Sequence, residues 1–270
     1  MKNDMKNEMK NKPGKLNSRT RCGQRTLCAA ALALLAVGGA PLAHAAEAET
    51  DVMGPGNIQL EFKLGLSRDV ASGVRQLSPP FLARIGLTDT LELRLGSDVR
   101  ISSQADGVTT QGWADTSVAL RYRLQELDDK TNTAGMALQL EQGLPTGSAA
   151  FRADGGSTAL KFAYERALPD DMSIGVMPGV VRQRNADGAW FVAPSLAITL
   201  GKNWTPVFRT TAEIVAPQIT STANGGNVAT ANLGATYRLT EMFELEVGYA
   251  RGLTKNTPDH SAVVGLNIKL

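Results

Sequence analysis

The residue types of a catalytic site lie together near the C-terminus, in the run Asp259-His260-Ser261. A serine nucleophile needs a histidine base in hydrogen-bond contact and an acidic residue that orients the base. Adjacent side chains on an extended chain point to opposite sides, so Ser261 is a poor partner for His260. We therefore predict no catalytic residues and no enzyme activity, and a lipid-modifying enzyme remains the least favoured alternative.

A second set of reactive side chains is charged, and its members recur along the chain between Glu61 and Lys269. Nine are basic and nine are acidic, and in an enclosed setting they must pair with one another or contact water. We predict that they line the interior of the fold, as a bracing network or as the wall of a narrow aqueous path, and that their balanced signs give weak ion selectivity. The set comprises Glu61, Lys63, Arg84, Glu92, Arg94, Asp98, Asp115, Arg121, Arg123, Glu141, Lys161, Glu165, Arg209, Glu213, Arg238, Glu244, Glu246 and Lys269.

The elements that position these charges are β-strands. Residues 58–67 alternate apolar and polar side chains throughout, and the same period of two returns roughly a dozen times. One face of each strand is almost all aliphatic, while the other carries charges and glycine. This pattern favours a closed barrel with an apolar outside and a polar inside. A soluble sandwich, the alternative, would rarely place so many charges opposite a continuous aliphatic face.

The chain is therefore predicted to be all-β, a transmembrane antiparallel up-and-down barrel of about twelve strands. An even number of strands is typical of single-chain bacterial outer-membrane barrels. The predicted strands cover residues 57–67, 80–88, 90–98, 114–125, 135–143, 157–167, 172–182, 189–200, 204–215, 228–239, 243–251 and 262–270.

Connection lengths alternate between short turns and long loops, which gives the barrel its direction. The short turns are predicted at Thr88-Asp89, residues 169–171, 201–203 and 240–242, on the periplasmic side. The long loops, rich in Gly, Ser, Asn and Asp, are predicted outside the cell at residues 68–79, 99–113, 144–156, 183–188, 216–227 and 252–261.

Aromatic residues are predicted to form two girdles at the membrane interfaces. The periplasmic girdle would contain Tyr122, Tyr164, Trp204, Tyr237 and Phe243, and the outer girdle Phe81, Trp113, Trp190 and Tyr249. Pro178 and Pro194 do not suit central strands, because each removes a ladder hydrogen bond, and they are predicted to mark bulges.

Residues 1–45 have the pattern of a cleaved signal peptide, with a basic start, the apolar run 27–40 and a small-residue site ending at Ala45. The barrel domain would then be residues 46–270. Removal of the leader takes both cysteines, Cys22 and Cys28, and leaves 20 basic and 24 acidic residues, a net charge of −4. These features predict no disulfide, no metal, no cofactor and no nucleic-acid partner, since no basic cluster remains.

The C-terminal strand has the arrangement Gly-x-x-apolar-x-apolar, formed by Gly265, Ile268 and Leu270. It resembles the assembly signal of outer-membrane barrels, although those usually end in Phe or Trp. The barrel assembly machinery and the lipid of the outer membrane are therefore predicted partners.

Four segments extend the resemblance to a known family: residues 112–124, Leu144-Pro145-Thr146-Gly147, residues 248–254, and 258–261 followed by Gly265. Their order and spacing resemble the MetA-pathway phenol-degradation family, also described as outer-membrane transporters. The resemblance implies a Gram-negative outer-membrane barrel linked to the uptake of aromatic or other small organic compounds.

From these patterns we predict an outer-membrane transporter or channel that admits small organic solutes, with aromatic or phenolic compounds as a candidate class, through the outer loops and the charged interior. A structural or adhesive barrel without transport shares every strand feature and stays open as the alternative. The solute, the direction of transport, the oligomeric state and the openness of the lumen are not determined by the sequence.

Overall fold

The computed structural model describes residues 48–270, an all-β chain in which the last strand pairs with the first. Strands β1 (Ile58–Arg68) and β15 (His260–Lys269) are antiparallel and share ten registered residue pairs, from Gln59 opposite Lys269 to Arg68 opposite His260. This pairing closes the sheet, so neither strand leaves an open edge. The predicted signal peptide, residues 1–45, and both cysteines lie outside the described residues.

All strands are antiparallel to their neighbours, and a 3-10 turn spans Thr222–Asn224. Between β1 and β15 the strands are β2 (Arg75–Ser78), β3 (Phe81–Gly86), β4 (Leu91–Ser97), β5 (Arg100–Ala105), β6 (Val108–Trp113), β7 (Thr116–Gln125), β8 (Gly135–Leu144), β9 (Ser157–Leu168), β10 (Met172–Arg184), β11 (Trp190–Thr205), β12 (Phe208–Gln218), β13 (Val228–Arg238) and β14 (Phe243–Gly252). In the part of the chain described here, no helix is long and apolar enough to cross a membrane.

The fifteen strand segments make twelve full-length strands of the barrel wall, which we call staves. Three of the staves are each interrupted once and so count as two segments. β2 and β3 both pair with β1, and Pro79-Pro80 separates them because proline cannot donate a ladder hydrogen bond. β4 and β5 are separated at Asp98-Val99, where Val99 has a φ of 47°, and β6 and β7 at Ala114-Asp115. The predicted fold, an antiparallel barrel of about twelve strands, is confirmed.

Two predicted outer loops are wrong in part. Residues 68–79 and 99–113 contain β2, β5 and β6, which extend one side of the wall beyond the other staves. The β5–β6 hairpin turns at Asp106 and Gly107, both with positive φ, as the favoured two-residue hairpin turn requires. These segments are rich in Ser, Thr and Gln on both faces, so they lack the apolar alternation that marks a membrane-facing strand.

The predicted turn at residues 201–203 is also wrong. β11 continues through these residues to Thr205, and the chain reverses at Pro206-Val207. The Thr205 hydroxyl accepts hydrogen bonds from the backbone N–H of Val207 at 3.3 Å and of Phe208 at 3.0 Å. Strand pairing on both sides of β11 overrides the local turn preference of Gly and Asn.

The two faces of the wall have opposite character. On β1, Phe62, Leu64 and Leu66 are 48%, 47% and 57% exposed, whereas the alternating Glu61 and Lys63 are buried. A soluble sandwich would bury the aliphatic face, so this distribution excludes the sandwich alternative and is that of a barrel with an apolar outer face.

Aromatic side chains stand on the outer face near both rims. Exposed members lie at the ends of staves, and they are Tyr122, Trp204, Tyr237 and Phe243 on the short-turn side and Trp113, Trp190 and Tyr249 on the long-loop side. Phe81 differs from its predicted place at the outer rim. Because β2 continues its stave outward, Phe81 lies within the wall and contacts Phe62 with ring centroids 5.1 Å apart.

The outward orientation of Leu64 makes a testable prediction. Leu64→Arg places a charge in the apolar belt, so we expect a loss of about 2–4 kcal/mol in the free energy of unfolding in lipid vesicles. Val108→Arg is the control, because Val108 is 65% exposed on the β5–β6 hairpin beyond the belt, and its loss should be about 0–1 kcal/mol. Equal losses for the two variants would contradict the placement of the belt.

Candidate functional site

The interior of the barrel, called the lumen below, is lined by polar side chains that are largely buried. They occupy the strand positions that alternate with the exposed aliphatic side chains. Many polar or charged side chains of the wall are less than a tenth exposed. They include Gln59, Glu61, Lys63, Glu92, Arg121, Gln139, Glu165, Thr199, Thr211, Glu213, Asn232, Glu246 and Asn267. Such burial requires hydrogen-bond or ion-pair partners.

A cluster on β3 and β4 shows how the partners are arranged. Arg84 and Arg94 are directly opposite each other in the register, which alone would be unfavourable. Glu92, fully buried, lies between them: the Arg84 Nη2 atom is 3.0 Å from Glu92 Oε2, and the Arg94 Nε atom is 2.5 Å from Glu92 Oε1. One carboxylate therefore holds two guanidinium groups against the wall.

A second ion pair crosses the closing strand. Lys63 on β1 reaches over β15 to Glu246 on β14, with Nζ 2.8 Å from Oε1, and it also lies 3.7 Å from Glu61. Gly265 is the residue between Lys63 and Glu246 in the register. A Cβ at Gly265 would come within 2.9 Å of Lys63 Cγ, so the missing side chain leaves room for the lysine.

Other lumen residues bond to neighbours one strand away. Lys161 Nζ is 3.2 Å from Glu141 Oε2. Glu213 accepts hydrogen bonds from the Thr199 hydroxyl at 2.6 Å and the Asn232 amide at 3.3 Å. The network therefore continues around the barrel through uncharged side chains as well as ion pairs.

The chain before β1 enters the lumen. We call residues 48–57 the N-terminal segment; within it Ala48, Thr50 and Val52 are buried. The backbone N–H of Met53 donates to Glu92 Oε2 at 2.7 Å, and that of Thr50 donates to Glu165 Oε2 at 3.1 Å.

Arginine side chains of the wall bond to the same segment. Arg121 donates to the Glu49 carbonyl at 2.8 Å and Arg84 to the Asp51 carbonyl at 3.2 Å. The Arg209 guanidinium lies 3.5 Å from the Glu49 carboxylate. Since these partners come from β3, β7 and β12, the segment spans a large part of the barrel cross-section on the short-turn side.

Small residues of the wall make space for the N-terminal segment. Side-chain Cβ atoms at Gly86 and Gly135 would overlap Gly54 and Thr50, and one at Gly175 would be 2.8 Å from the Ala48 carbonyl. Ala48 also packs in a buried cluster with Ala137, Ala163, Met177, Ala197 and Val215. The N-terminal segment thus lies inside the lumen, against a wall that is shaped to hold it.

The electrostatics of the segment are set by enclosure. Removal from bulk water raises the pKa of the Glu49 carboxyl, and the nearby Arg209 guanidinium opposes that shift. Glu165 raises the pKa of Glu49 further, because two carboxylates in one enclosed space repel each other.

The outer mouth is narrowed by the loop between β8 and β9. Phe151 of this loop is buried against Ile101 and Ala114, on the lumen side of the wall. Asp115 accepts hydrogen bonds from the backbone N–H groups of Gly147 at 2.7 Å and Ala153 at 2.8 Å. The loop is therefore fixed at both ends of its turn by one carboxylate.

The structure brings most of the predicted lumen residues into these contacts, and it places a few elsewhere. Asp115 holds the outer loop, and Asp98 lies at the break between β4 and β5. Arg238 is exposed at the short-turn end of β13. Arg123 lies near that end too, 3.5 Å from Asp51 and bonded to the Asp89 carbonyl at 2.7 Å.

The remaining predicted residues lie near the C-terminus. Glu244 accepts a hydrogen bond from the Asn267 amide at 3.3 Å, and Lys269 and Ile268 are half-buried. Leu270 is 59% exposed, and its backbone exchanges hydrogen bonds with Ile58 at 2.8 and 3.2 Å. The C-terminal residues thus complete the closure of the barrel.

His260 and Ser261 lie on opposite faces of β15: His260 is exposed and Ser261 is buried. His260 Nδ1 is 2.6 Å from the Tyr249 hydroxyl, and its Nε2 is 2.6 Å from Arg251 Nη1. The serine and the histidine are therefore not in the contact that nucleophilic catalysis needs.

Sequence reasoning missed the N-terminal segment and the uncharged lumen residues. Gln59, Gln139 and Asn232 occupy the same strand face as the charged residues, so the period of two already contained the signal that could have found them. The N-terminal segment carries no such signal, because it is neither alternating nor strongly apolar.

A pocket of about 320 Å³ opens in the wall where β8, β9 and β10 meet. Pro178 lies there, and the β9–β10 register skips from Val176 opposite Tyr164 to Gly179 opposite Lys161. Neither proline shifts the register between β10 and β11. In that pairing Pro178 is opposite Leu196 and Val180 is opposite Pro194, without a break. The predicted bulges are therefore wrong, and a gap in one ladder takes their place.

A closed barrel with an apolar outer face, a charged lumen and a segment of its own chain inside that lumen defines a membrane-spanning β-barrel of the outer-membrane type. A family model described as "Putative MetA-pathway of phenol degradation" matches residues 44–270, and the chain belongs to that family, as its sequence predicts. No curated protein sequence matches it significantly.

Solved structures share the fold at low sequence identity. The COG4313 outer membrane channel from Pseudomonas putida F1 is 15% identical with a TM-score of 0.63, over 82% of this chain and 98% of that one. The KdgM porin in complex with disordered oligogalacturonate is 10% identical (TM-score 0.52; 78% and 98% covered), and the NanC porin is 12% identical (TM-score 0.51; 78% and 100%).

The buried Glu92 cluster gives a prediction about stability. Glu92→Ala leaves Arg84 and Arg94 facing each other without the carboxylate, so we expect a loss of about 3–5 kcal/mol in the free energy of unfolding, measured by denaturant titration in vesicles. Glu126→Ala is the control, because the Glu126 side chain is 74% exposed and 3.9 Å from Arg123; its loss should be about 0–1 kcal/mol. A loss below 1 kcal/mol for Glu92→Ala would show that water in the lumen screens the cluster.

Proposed function

We propose that this protein is a channel in the bacterial outer membrane that admits small organic molecules, with aromatic and phenolic compounds as the favoured class. The observation that carries the proposal is the way in which the lumen is closed. A segment before the first strand occupies it, and the staves of the wall stay paired around that segment. Displacement of the segment would open a polar path without breaking a single strand pair.

The contacts of the N-terminal segment suit a closure that can open. Residues 49–53 are held by hydrogen bonds to Arg84, Glu92, Arg121 and Glu165, and by two ion pairs, to Arg123 and Arg209. Each such contact contributes about 0.5–3 kcal/mol net, which a local opening of the chain can overcome. The outer loops would form the entrance. The charged residues of the lumen would line the path, together with the wall residues that the N-terminal segment covers before it moves.

The preference for aromatic compounds comes from the family, whose description refers to phenol degradation. Nine basic and nine acidic residues in the predicted lumen set give no net sign to the path, so the channel should select weakly among ions. Outer-membrane lipid surrounds the apolar belt in this proposal, and the C-terminal strand is the part that the barrel assembly machinery would recognise.

An apolar solute has a second way out. The pocket beside Pro178 is lined on the outer face by Leu138, Leu160, Phe162 and Val180, while Lys161 and Gly179 belong to the lumen face. It lies at the outer face of the wall beside the gap in the β9–β10 ladder, and an aromatic hydrocarbon that passed through that gap would leave sideways into the lipid.

A structural barrel without transport is the second candidate. The observation in its favour is the same occlusion, since a lumen filled by its own segment and by buried ion pairs needs no solute. Solute flux distinguishes the two functions.

A reversible disulfide tests the channel function, because residues 48–270 contain no cysteine. In Thr50→Cys with Gly135→Cys, the two Cβ atoms would lie about as close as the 3.1 Å that separates Thr50 Cβ from a Cβ at Gly135, near the usual disulfide range of about 3.5–4.5 Å. We expect single-channel conductance in planar bilayers to be low when the pair is oxidised and to rise on reduction, with phenol reducing the current.

The controls are the two single-cysteine variants, whose conductance should not respond to reductant. A folded barrel that conducts nothing in either redox state, and for which proteoliposomes show no uptake of labelled phenol, would refute the channel and leave the structural barrel.

The sideways route has its own test. Pro178→Ala with Pro194→Ala restores two backbone N–H donors, and the one at residue 178 lies in the gap of the β9–β10 ladder, so the ladder beside the pocket can close. We expect uptake of a labelled aromatic hydrocarbon into proteoliposomes to fall several-fold while ionic conductance is unchanged. Unchanged hydrocarbon uptake in this double variant would argue against an exit at the pocket.

A further inference from the structure

Four basic residues form one row on the outer face of the barrel, at the rim that carries the long loops. Arg75 on β2 is directly opposite Arg68 on β1, Arg68 is opposite His260 on β15, and His260 is opposite Arg251 on β14. All four are exposed. Since neighbouring strands are about 4.8 Å apart, the row spans about 14 Å along the rim.

The row lies at the edge of the apolar belt. Two residues further down each strand, the outward positions are Leu77, Leu66, Ala262 and Tyr249, which are again cross-strand neighbours. Leu66 and Tyr249 are 57% and 44% exposed. Cations and apolar side chains therefore meet at the level where lipid headgroups meet acyl chains.

The protein balances the charges of the row only in part. Asp259 lies 3.5 Å from Arg251, and it also accepts a hydrogen bond from the Val70 backbone at 2.8 Å. Asp69, next to Arg68, accepts hydrogen bonds from the backbone and hydroxyl of Ser72.

Arg68 and Arg75 face each other without a bridging carboxylate. Within residues 48–270 neither side chain has a hydrogen bond or an ion pair. Like charges directly opposite on a sheet destabilise it. In the lumen, the equivalent pair Arg84 and Arg94 is bridged by Glu92, so the arrangement at the rim lacks the anion that the arrangement in the lumen contains.

His260 positions the fourth member. Arg251 Nη1 can only donate, so His260 Nε2 accepts, and His260 Nδ1–H donates to the Tyr249 hydroxyl. The His260 side chain thus fixes Arg251 in the row and connects it to an aromatic residue of the girdle.

We propose that this row binds the phosphate groups of a phosphorylated glycolipid of the outer leaflet, with its acyl chains on the belt below. Guanidinium groups bind phosphate oxygens through paired hydrogen bonds, and a phosphate between Arg68 and Arg75 would supply the missing anion. The position on the lipid-facing surface favours a lipid over a free phosphate ion. The inference relies on the proposed location in the outer membrane and is independent of transport.

Other outward arginines show that the feature is local. Arg182 and Arg184 stand on the same rim, but both stack on Trp190, with distances of 3.9 and 4.9 Å to the ring centroid. Arg166 is exposed at the opposite rim and donates to the Asn132 side chain at 3.3 Å. Arg166 is therefore a matched control, an outward arginine away from the row.

The first experiment measures lipid retention. The barrel is extracted from outer membranes in mild detergent, and the phosphorylated glycolipid bound per barrel is quantified by mass spectrometry. We expect Arg68→Gln with Arg75→Gln to reduce retention about tenfold or more, since charge-assisted hydrogen bonds to phosphate are lost. Arg166→Gln should retain as much lipid as the unaltered barrel. Equal retention in the double variant and the control would refute the site.

The second experiment identifies the ligand chemistry. Melting of the delipidated barrel in detergent is followed with the phosphorylated glycolipid, with its dephosphorylated form and with inorganic phosphate. A rise in melting temperature with the phosphorylated lipid alone, absent in the double variant, supports the proposal. An equal rise with inorganic phosphate would indicate a free-anion site, and an equal rise with the dephosphorylated lipid would indicate acyl-chain contact; either result overturns it.

Channel activity is measured on the same double variant. Its conductance should match that of the unaltered barrel, because the row lies outside the lumen. A barrel that retains lipid but conducts nothing would refute the channel only, and a conducting barrel without phosphate-dependent retention would refute the lipid site only.

Discussion

The pairing of β1 with β15 is the constraint on which the rest of the structure depends. In a membrane every backbone donor and acceptor of the wall needs an internal partner, and only closure provides one for the first and last strands. Closure also fixes the register of all twelve staves. Because side chains alternate along each strand, the register decides at once which residues face lipid and which face the lumen.

The consequence for the lumen is a crowded polar interior. Inward-facing charges come too close to remain unpaired, so they are bridged, as Glu92 bridges two arginines and as Lys63 passes over Gly265 to Glu246. The N-terminal segment uses the same groups, since Glu92 binds both the arginines and the Met53 backbone. Bracing of the wall and closure of the path are therefore coupled through shared carboxylates, and a change in one affects the other.

The outer surface uses the same chemistry with a different partner. In the lumen, opposed arginines meet a carboxylate from the neighbouring position. At the rim, Arg68 and Arg75 face the membrane instead, where the anion has to come from outside the protein. The pair Arg84 and Arg94 therefore belongs to the internal network, whereas the pair Arg68 and Arg75 belongs to a surface that is suited to phosphorylated lipid.

The sequence by itself determined the fold class, most strand positions and the family, because strict alternation of side chains is a local signal and closure leaves few alternatives to a barrel. It did not determine the continuation of β11 through residues 201–203 or the strands at residues 75–78 and 100–113, where pairing overrides local turn preference and polar character. Only the tertiary structure decided that the N-terminal segment lies inside the lumen. That outcome depends on Gly86, Gly135 and Gly175, which are far apart in sequence and make one cavity only after the sheet has closed.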